Sequence, residues 1–318
     1  MASSTEETTA GLRSLVARRR FSTYHQEMTV GAIHRFLGLD PWENLAREEA
    51  WFEAAQGPTL LLYINAPCVV LGKHQNPLRE VRLEEAGRRQ VPLVRRSSGG
   101  GTVWHDEGNL NWSLLLPKTG YNRGAVTRFV AEALTPLGIS LEAGEKGDLF
   151  LAGRKVSGAA YLHRRDRVLH HGTLLCQAGL DALHGVLGPT GNLLEWVGVS
   201  SRPMPVTNLE LGISQAIDAL IRAFALTGSE VGSGLGDAKF EDEVATRRRR
   251  LASPDWLWDQ TPVFTWEGQT RAGFLRAAVR DGRILEAWDD RSLNMSKIVG
   301  KRFFDSEFFE YIPTREVT

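Results

Sequence analysis

Three consecutive glycines in the run RRSSGGGTVWHDEGN, residues 95–109, stand between two segments of strand character. VPLVRR precedes them and TVWH follows, both rich in branched and aromatic residues that suit a pleated backbone. The triplet removes every Cβ from a stretch of chain, so its amides can close around a phosphate or let a slim apolar chain pass. Its surroundings exclude two common phosphate-binding folds. No Gly-Lys-Ser/Thr follows, so this is not a Walker loop. A strand rather than a helix follows, so it is not the dinucleotide fingerprint of a doubly wound sheet.

The order of the other segments points the same way. A helix is expected from residue 40, with Asp40 as cap, Pro41 in the first turn and Glu43 completing a capping box. Trp42, Leu45, Ala46, Ala50 and Ala54 then share a face. LLLYI and CVVLG flank Asn65, Ala66 and Pro67 and read as a hairpin; TVWH and LNWSLLLP flank DEGN and read as a second. A polar helix is expected around residues 79–90. Residues 122–138 carry Val126, Phe129, Val130, Ala133, Leu134 and Leu137 at helical spacing, with Pro136 ending the helix early and Gly138 stopping it. DLFLAGRKVSGAAYL reads as strand, turn at Gly153, strand; RVLHHGTLLC reads as a further strand; residues 185–208 read as a loop; ISQAIDALIRAF reads as an amphipathic helix. Hairpins mixed with helices predict an α+β fold.

Charge and composition narrow the function. The 318 residues hold 38 basic and 38 acidic side chains, so no net charge draws the chain to nucleic acid or an anionic membrane. The run RRRR at 247–250 reads as a solvated helix face or linker rather than a nucleic-acid patch. No apolar run reaches transmembrane length. Cys68 and Cys176 form neither a metal-spaced cluster nor a disulfide scaffold, which favours a reducing compartment. Residues 1–27 are rich in Ser, Thr and Arg. Glu6 and Glu7 favour a flexible N-terminal extension and a cytoplasmic location over a mitochondrial transit segment. The division expected is 28–227 catalytic, 228–253 linker and 254–318 a small C-terminal domain.

Arg95 and Arg96 set guanidinium groups beside the glycines, a donor geometry that matches phosphate. His105, Asp106 and Asn109 follow closely. Lys155 lies in GRKVSGAAYL among Ser157, Gly158, Ala159 and Ala160, small neighbours that let a lysine point into a pocket; an exposed strand lysine is the alternative. His170 and His171 of HHGTLLC are candidate bases or substrate contacts, without metal spacing.

These motifs, with DPWENLAREE, VVLGKHQNP and SSRPMPVTNL, resemble the lipoate–protein ligase A and lipoyltransferase family in unbroken order from about residue 36 to 209. WDQTPVFTW, DGRILEA and SKIVGKRF resemble its accessory domain. The resemblance implies a catalytic domain like those of biotin ligases and class II aminoacyl-tRNA synthetases. It implies ATP-dependent activation of lipoate to lipoyl-AMP and transfer to a lysine of lipoyl-acceptor domains, in 2-oxoacid dehydrogenase E2 subunits or the glycine cleavage H protein. It implies Lys155 as the catalytic lysine touching both the lipoyl carboxylate and the α-phosphate. Arg96, Gly101, Thr102, Val103, Trp104, Lys155 and Asp148 match nucleotide contacts. Arg95, Ser98, Gly99, Gly100, His105, Lys155, His171 and Gly172 match the lipoate channel. Asp148 matches a position near Mg²⁺. ATP with Mg²⁺ and lipoate are substrates, with no permanently bound cofactor, no nucleic acid or membrane partner, and a monomeric chain. Two positions depart from the family pattern: Gly147 stands where an asparagine is usual, and Cys68 where a threonine is. The alternative is a lipoyl or octanoyl transferase without its own adenylation step. Its thioester form needs a reactive cysteine, and residues 139–152 have none; Cys176 reads as a packed strand residue.

Overall fold

The computed structural model describes residues 31–225, 230–232, 234–270, 273–291 and 295–305. The N-terminal extension expected at 1–27 lies outside the described residues. The chain opens with β1 (Ala32–Arg35), α1 (Pro41–Ala54) and β2 (Thr59–Ile64), then β3 (Cys68–Leu71), α2 (Pro77–Glu80), α3 (Leu83–Arg88), β4 (Leu93–Arg95), β5 (Val103–His105) and β6 (Asn109–Pro117). Next come α4 (Arg123–Ala133), β7 (Glu142–Ala143), β8 (Leu149–Leu151), β9 (Arg154–Ser157), β10 (Ala159–His163) and β11 (Arg167–Leu175). After α5 (Leu180–Val186) and β12 (Asn192–Trp196) follow α6 (Ile213–Ala225), β13 (Glu230–Gly232), α7 (Ala238–Ala252), α8 (Pro254–Trp258), β14 (Phe264–Thr270), β15 (Gly273–Arg280) and β16 (Arg283–Trp288). The fold is α+β.

The main sheet runs β10-β11-β6-β2-β1-β13, a smaller sheet runs β4-β3-β5, a third β7-β8-β9, and a fourth β12-β14-β15-β16. Neither expected hairpin forms. β2 pairs with β1 and β6, whereas β3 pairs with β4 and β5, so the chain passes from one sheet to the other at Asn65–Pro67. It passes back at DEGN, between β5 and β6. The reason is burial on both faces. Leu60 and Leu62 enter the core with α4 and α6, while Leu61 and Tyr63 pack with Phe52 of α1. Val69 and Leu71 face the C-terminal sheet, and Cys68 and Val70 face α1 and α7. A strand covered twice reads as an unbroken apolar run, which carries no mark of which strand it pairs with.

Asp40 caps α1, its Oδ1 accepting from the amides of Trp42 at 2.8 Å and Glu43 at 3.0 Å. Glu43 does not serve as the capping-box partner; its carboxylate accepts from Arg47, 2.9 Å away and one turn on. Asp40 also takes Arg248 of α7 at 2.6 Å. Asp40→Ala removes the cap and should lower stability by about 1 kcal/mol, read as a shift in the denaturant midpoint without a change in slope.

Within the segment expected to be a linker, residues 238–252 form a packed helix. α7 lies on α1 through Val244 and Leu251, against Leu45, Ala46 and Ala50. Three of the four arginines at 247–250 pair with α1: Arg247 and Arg250 with Glu49, and Arg248 with Asp40. Arg247 also pairs with Glu243 one turn earlier at 2.8 Å, but Glu49 and Asp40 lie some two hundred residues before the run, beyond what a local charge count can register. The C-terminal sheet also reaches back past residue 254, because β12 supplies its edge strand beside β14. No helix of the described residues is long and apolar enough to cross a membrane.

Candidate active site

The parallel pairing of β3 and β4 continues into the glycine run. Arg96 N donates to Leu71 O at 3.0 Å and Lys73 N to Ser98 O at 2.9 Å. The loop is therefore an extended arm of the small sheet. It lies over the face of the main sheet that α1 covers. A Cβ on Gly72 would stand 2.2 Å from Gly100 O, and Gly100, at φ +88°, would bring one to 3.2 Å from Ala160 Cβ in β10. These contacts require glycine at both places. Around Gly99 there is open space.

Arg96 is buried and turned onto its own loop. Its Nε donates to Ser98 Oγ at 2.9 Å, Nη1 to Val70 O at 3.2 Å, and Nη2 to Gly99 O at 2.6 Å and Gly101 O at 2.7 Å. Burial brings its guanidinium down to about 10. These bonds shape the glycine backbone. Arg95, expected in the lipoate channel, points the other way. Its Nε donates to Leu257 O at 2.8 Å, its Nη1 to the carbonyls of Gly72 and Lys73 at 3.1 Å and Gln75 at 2.8 Å, and its Nη2 to Thr261 Oγ1 at 3.2 Å. Adjacent strand residues face opposite sides, and so the two arginines part.

Ser98 begins a buried chain of polar groups. Its hydroxyl lies 2.7 Å from His171 Nε2, and His171 Nδ1 lies 2.9 Å from Glu48 Oε1 on α1. Tyr63 Oη donates to Glu48 at 3.1 Å, and Ser113 Oγ also donates to it. Burial opposes ionisation of Glu48, but the facing His171 and these hydroxyls outweigh it and leave the carboxyl below its ordinary range. Beside them His105 Nδ1 meets Asn65 Nδ2 at 2.9 Å. Burial, and then the charge of Arg96, push His105 down to about 3, and burial does the same to His170. Both imidazoles stay neutral when folded but take a proton near pH 6.5 when unfolded. Their contribution to stability is complete above about pH 6.5 and is lost progressively as pH falls toward 3. Thermal melts should show Tm falling between pH 7 and 5, with a shallower fall in His170→Phe.

Lys155 stands along the same face. β9 places it opposite Phe150 at a bulge in the pairing with β8, and its Nζ lies 2.9 Å from Asp148 Oδ1. Both side chains are partly exposed. The lysine passes over Gly158, where a Cβ would sit 3.3 Å from Nζ. The stretch after β12 closes over it: Lys155 N donates to Pro205 O at 2.9 Å, and Thr207 N to Lys155 O at 3.0 Å. Ser201 of the same stretch accepts from Thr102 N at 2.8 Å and from Gln75 Nε2 at 3.1 Å. Gly147, the departure from the family pattern, has φ +90° and leaves a Cβ position only 1.9 Å from Tyr161 Oη, which donates to Lys146 O. Tyr161 fills the space that a side chain at 147 would need.

The structure therefore brings Lys155, Asp148, Ser98, Gly99, Gly100, Gly101, Thr102 and His171 to one face, with Arg96 and His105 beneath. Other expected residues turn their side chains elsewhere. Trp104 is buried in the core toward the C-terminal sheet, its Nε1 donating to Asp106 Oδ2 at 2.8 Å. Val103 packs against the core between α1 and α7. Gly172 projects to the opposite side of β11, where the Trp112 indole stands 2.7 Å from its Cβ position. The sequence reading missed Glu48, Glu49, Gln75 and Ser201. α1 also carries Glu43, Asn44, Arg47 and Glu53, so nothing local sets Glu48 and Glu49 apart. Cys68 and Cys176 are both wholly buried; burial pushes the Cys176 thiol up to about 12 and that of Cys68 further still.

A family model described as the lipoyl protein ligase A/B catalytic domain matches residues 40–225. The chain belongs to this family. A protein named lipoate-protein ligase A from Psychrobacter cryohalolentis is 34% identical over 249 residues, covering 73% of this chain and 73% of that relative. Among solved structures, a bipartite lipoate protein ligase of Thermoplasma acidophilum, described with its E2 lipoyl domain, superposes with TM-score 0.61 at 24% identity, covering 72% of this chain and 96% of that one. LipL1 of P. falciparum in complex with lipoate superposes with TM-score 0.64 at 20% identity, covering 81% of this chain and 83% of that one. These likenesses give the fold.

Proposed function

We propose that this protein is a lipoate–protein ligase that activates free lipoate with ATP and attaches it to an acceptor lysine. The observation that carries the reading is Lys155, a partly exposed cation beside one carboxylate, at the end of a face lined by a glycine arm. In the first step a lipoate carboxylate oxygen attacks the α-phosphorus of ATP, and the bond to pyrophosphate breaks. Two anions must meet, and Lys155 Nζ between them offsets their repulsion and the charge growing on the transferring phosphoryl. In the second step the neutral amine of the acceptor lysine attacks the acyl carbon. AMP leaves with the electron pair, and the amine loses its proton.

Among the described residues no group of three or more His, Cys, Asp or Glu could hold a metal by itself. Asp148 alone suits Mg²⁺, which commonly takes one carboxylate and completes its shell with substrate phosphates and water. There it would neutralise charge on the pyrophosphate leaving group. Lipoyl domains of 2-oxoacid dehydrogenase E2 subunits are the acceptors in this reading. The buried, raised thiols weigh against a thioester route, which needs an accessible thiolate.

Pyrophosphate release by the full chain with ATP, Mg²⁺ and free lipoate tests the reading. Release that depends on lipoate is expected. Lack of release, with lipoyl still moving from synthetic lipoyl-AMP to an acceptor domain, would replace it with a transferase. Alkylation by iodoacetamide under native conditions should leave turnover unchanged; loss of activity would point to a thiol intermediate.

A further inference from the structure

Ser97, one residue before the serine that meets His171, has its own tether. Its hydroxyl donates to Glu49 Oε1 on α1, and Glu49 Oε2 accepts from Arg250 Nη2 near the end of α7. Arg247 Nη1 lies 3.6 Å from the same oxygen. Glu49 is 7% exposed, so its charge needs these partners. Arg250 also stacks on Trp256 of α8, 4.1 Å from the ring centroid, and Trp256 Nε1 donates to Arg95 O at 2.7 Å. Two routes therefore run from Arg250 to the root of the glycine arm, one through Glu49 to Ser97 and one through Trp256 to residue 95. Arg250 lies beyond the 40–225 segment that the family model covers.

We propose that Arg250 is a positioning residue for the glycine arm, acting through Glu49 and Ser97, so that the docking of α7 on α1 sets the geometry of the acyl site. The proposal rests on the reading of that site as a lipoate site. A buried carboxylate pulled by an arginine on one oxygen holds a serine hydroxyl on the other. Loss of the arginine leaves Glu49 free to draw toward Arg247 and to release Ser97. The arm residues that follow, Ser98 to Gly100, then lose their fixed approach to β10.

The test is a double-mutant cycle in the full chain with Ser97→Ala and Arg250→Ala, residues that share Glu49 as a common partner. Each single change should raise KM for lipoate about tenfold, as for loss of one charge-assisted hydrogen bond, with KM for ATP and kcat little changed. The double variant should be no worse than the poorer single one. Arg250→Lys, which keeps a cation over Trp256, should be intermediate, and Arg249→Ala on the exposed side of α7 should behave as wild type. Amide hydrogen exchange of the peptide spanning 97–101 should quicken in Arg250→Ala and not in Arg249→Ala, a readout that needs no turnover. Multiplicative KM effects, equal changes in both KM values, or unchanged exchange in the arm would overturn the proposal. A wild-type chain inactive with lipoate would instead remove the substrate reading, while the exchange data would still decide the coupling.

Discussion

Lys155→Ala is expected to lower the rate of lipoate-dependent pyrophosphate release by about a hundredfold or more, the effect of losing one charge that acts on the transition state. The fold should survive the change. Lys155 is partly exposed, its ion pair is with the partly exposed Asp148, and its strand is held by backbone bonds to Pro205 and Thr207 that the substitution leaves intact. Stability and rate therefore separate here, with Tm shifting little while turnover collapses. Lys155→Arg should rescue poorly. A guanidinium is wider than an ammonium and spreads its charge over a planar fork, so it cannot set a point charge where Nζ stands. Transfer from preformed lipoyl-AMP should fall less than activation does, because only activation brings two anions together. Equal loss in both half-reactions would assign Lys155 to binding the adenylate rather than forming it.

Arg95→Ala is expected to act in the opposite sense, on the fold before the chemistry. One fully buried guanidinium satisfies the carbonyls of Gly72, Lys73, Gln75 and Leu257 and the hydroxyl of Thr261. Alanine leaves those acceptors without their donor and opens a cavity the size of the side chain. Together these should cost about 3–5 kcal/mol, or a Tm lower by roughly 10 °C in a chain of this length. Arg95→Lys should recover less than half, because one ammonium cannot reproduce a fork that spans both a loop and a helix end. Since Arg95 joins the 72–75 turn to residues 257–261, the loss should appear as a less cooperative melt in which the C-terminal sheet loosens first. A melt close to wild type would show that the surrounding carbonyls find water without penalty.

Those two residues also mark what a sequence can disclose. The role of Lys155 comes from the family resemblance and not from its neighbours, while the strand around it is legible from its own segment. The same holds for α4 and α6, whose apolar stripes face one core and whose other faces meet water, so that helical periodicity survives in the text of the chain. Arg95 and Arg96 were not separable. Both looked like phosphate ligands beside a glycine loop, and the one-residue alternation that sends Arg95 into the C-terminal core depends on which faces of β4 are covered. The two missed sheet crossings have the same origin, since β2 and β3 are apolar on both faces and name no partner. Glu48 and Glu49 fall outside the apolar stripe of α1, and nothing in their own segment marks them. Their partners, His171, Ser113, Ser97 and Arg250, come from elements spread along the chain, and only the assembled fold turns the two acids into the anchors of the glycine arm.

Whether this protein activates lipoate is decided by the intact mass of a purified E2 lipoyl domain incubated with it, ATP, Mg²⁺ and free lipoate. A gain of one lipoyl group on one lysine is expected, abolished by omitting ATP and by Lys155→Ala. An acceptor that gains no mass under these conditions, yet is modified when synthetic lipoyl-AMP replaces ATP and lipoate, would contradict the activation step and leave a transferase in its place.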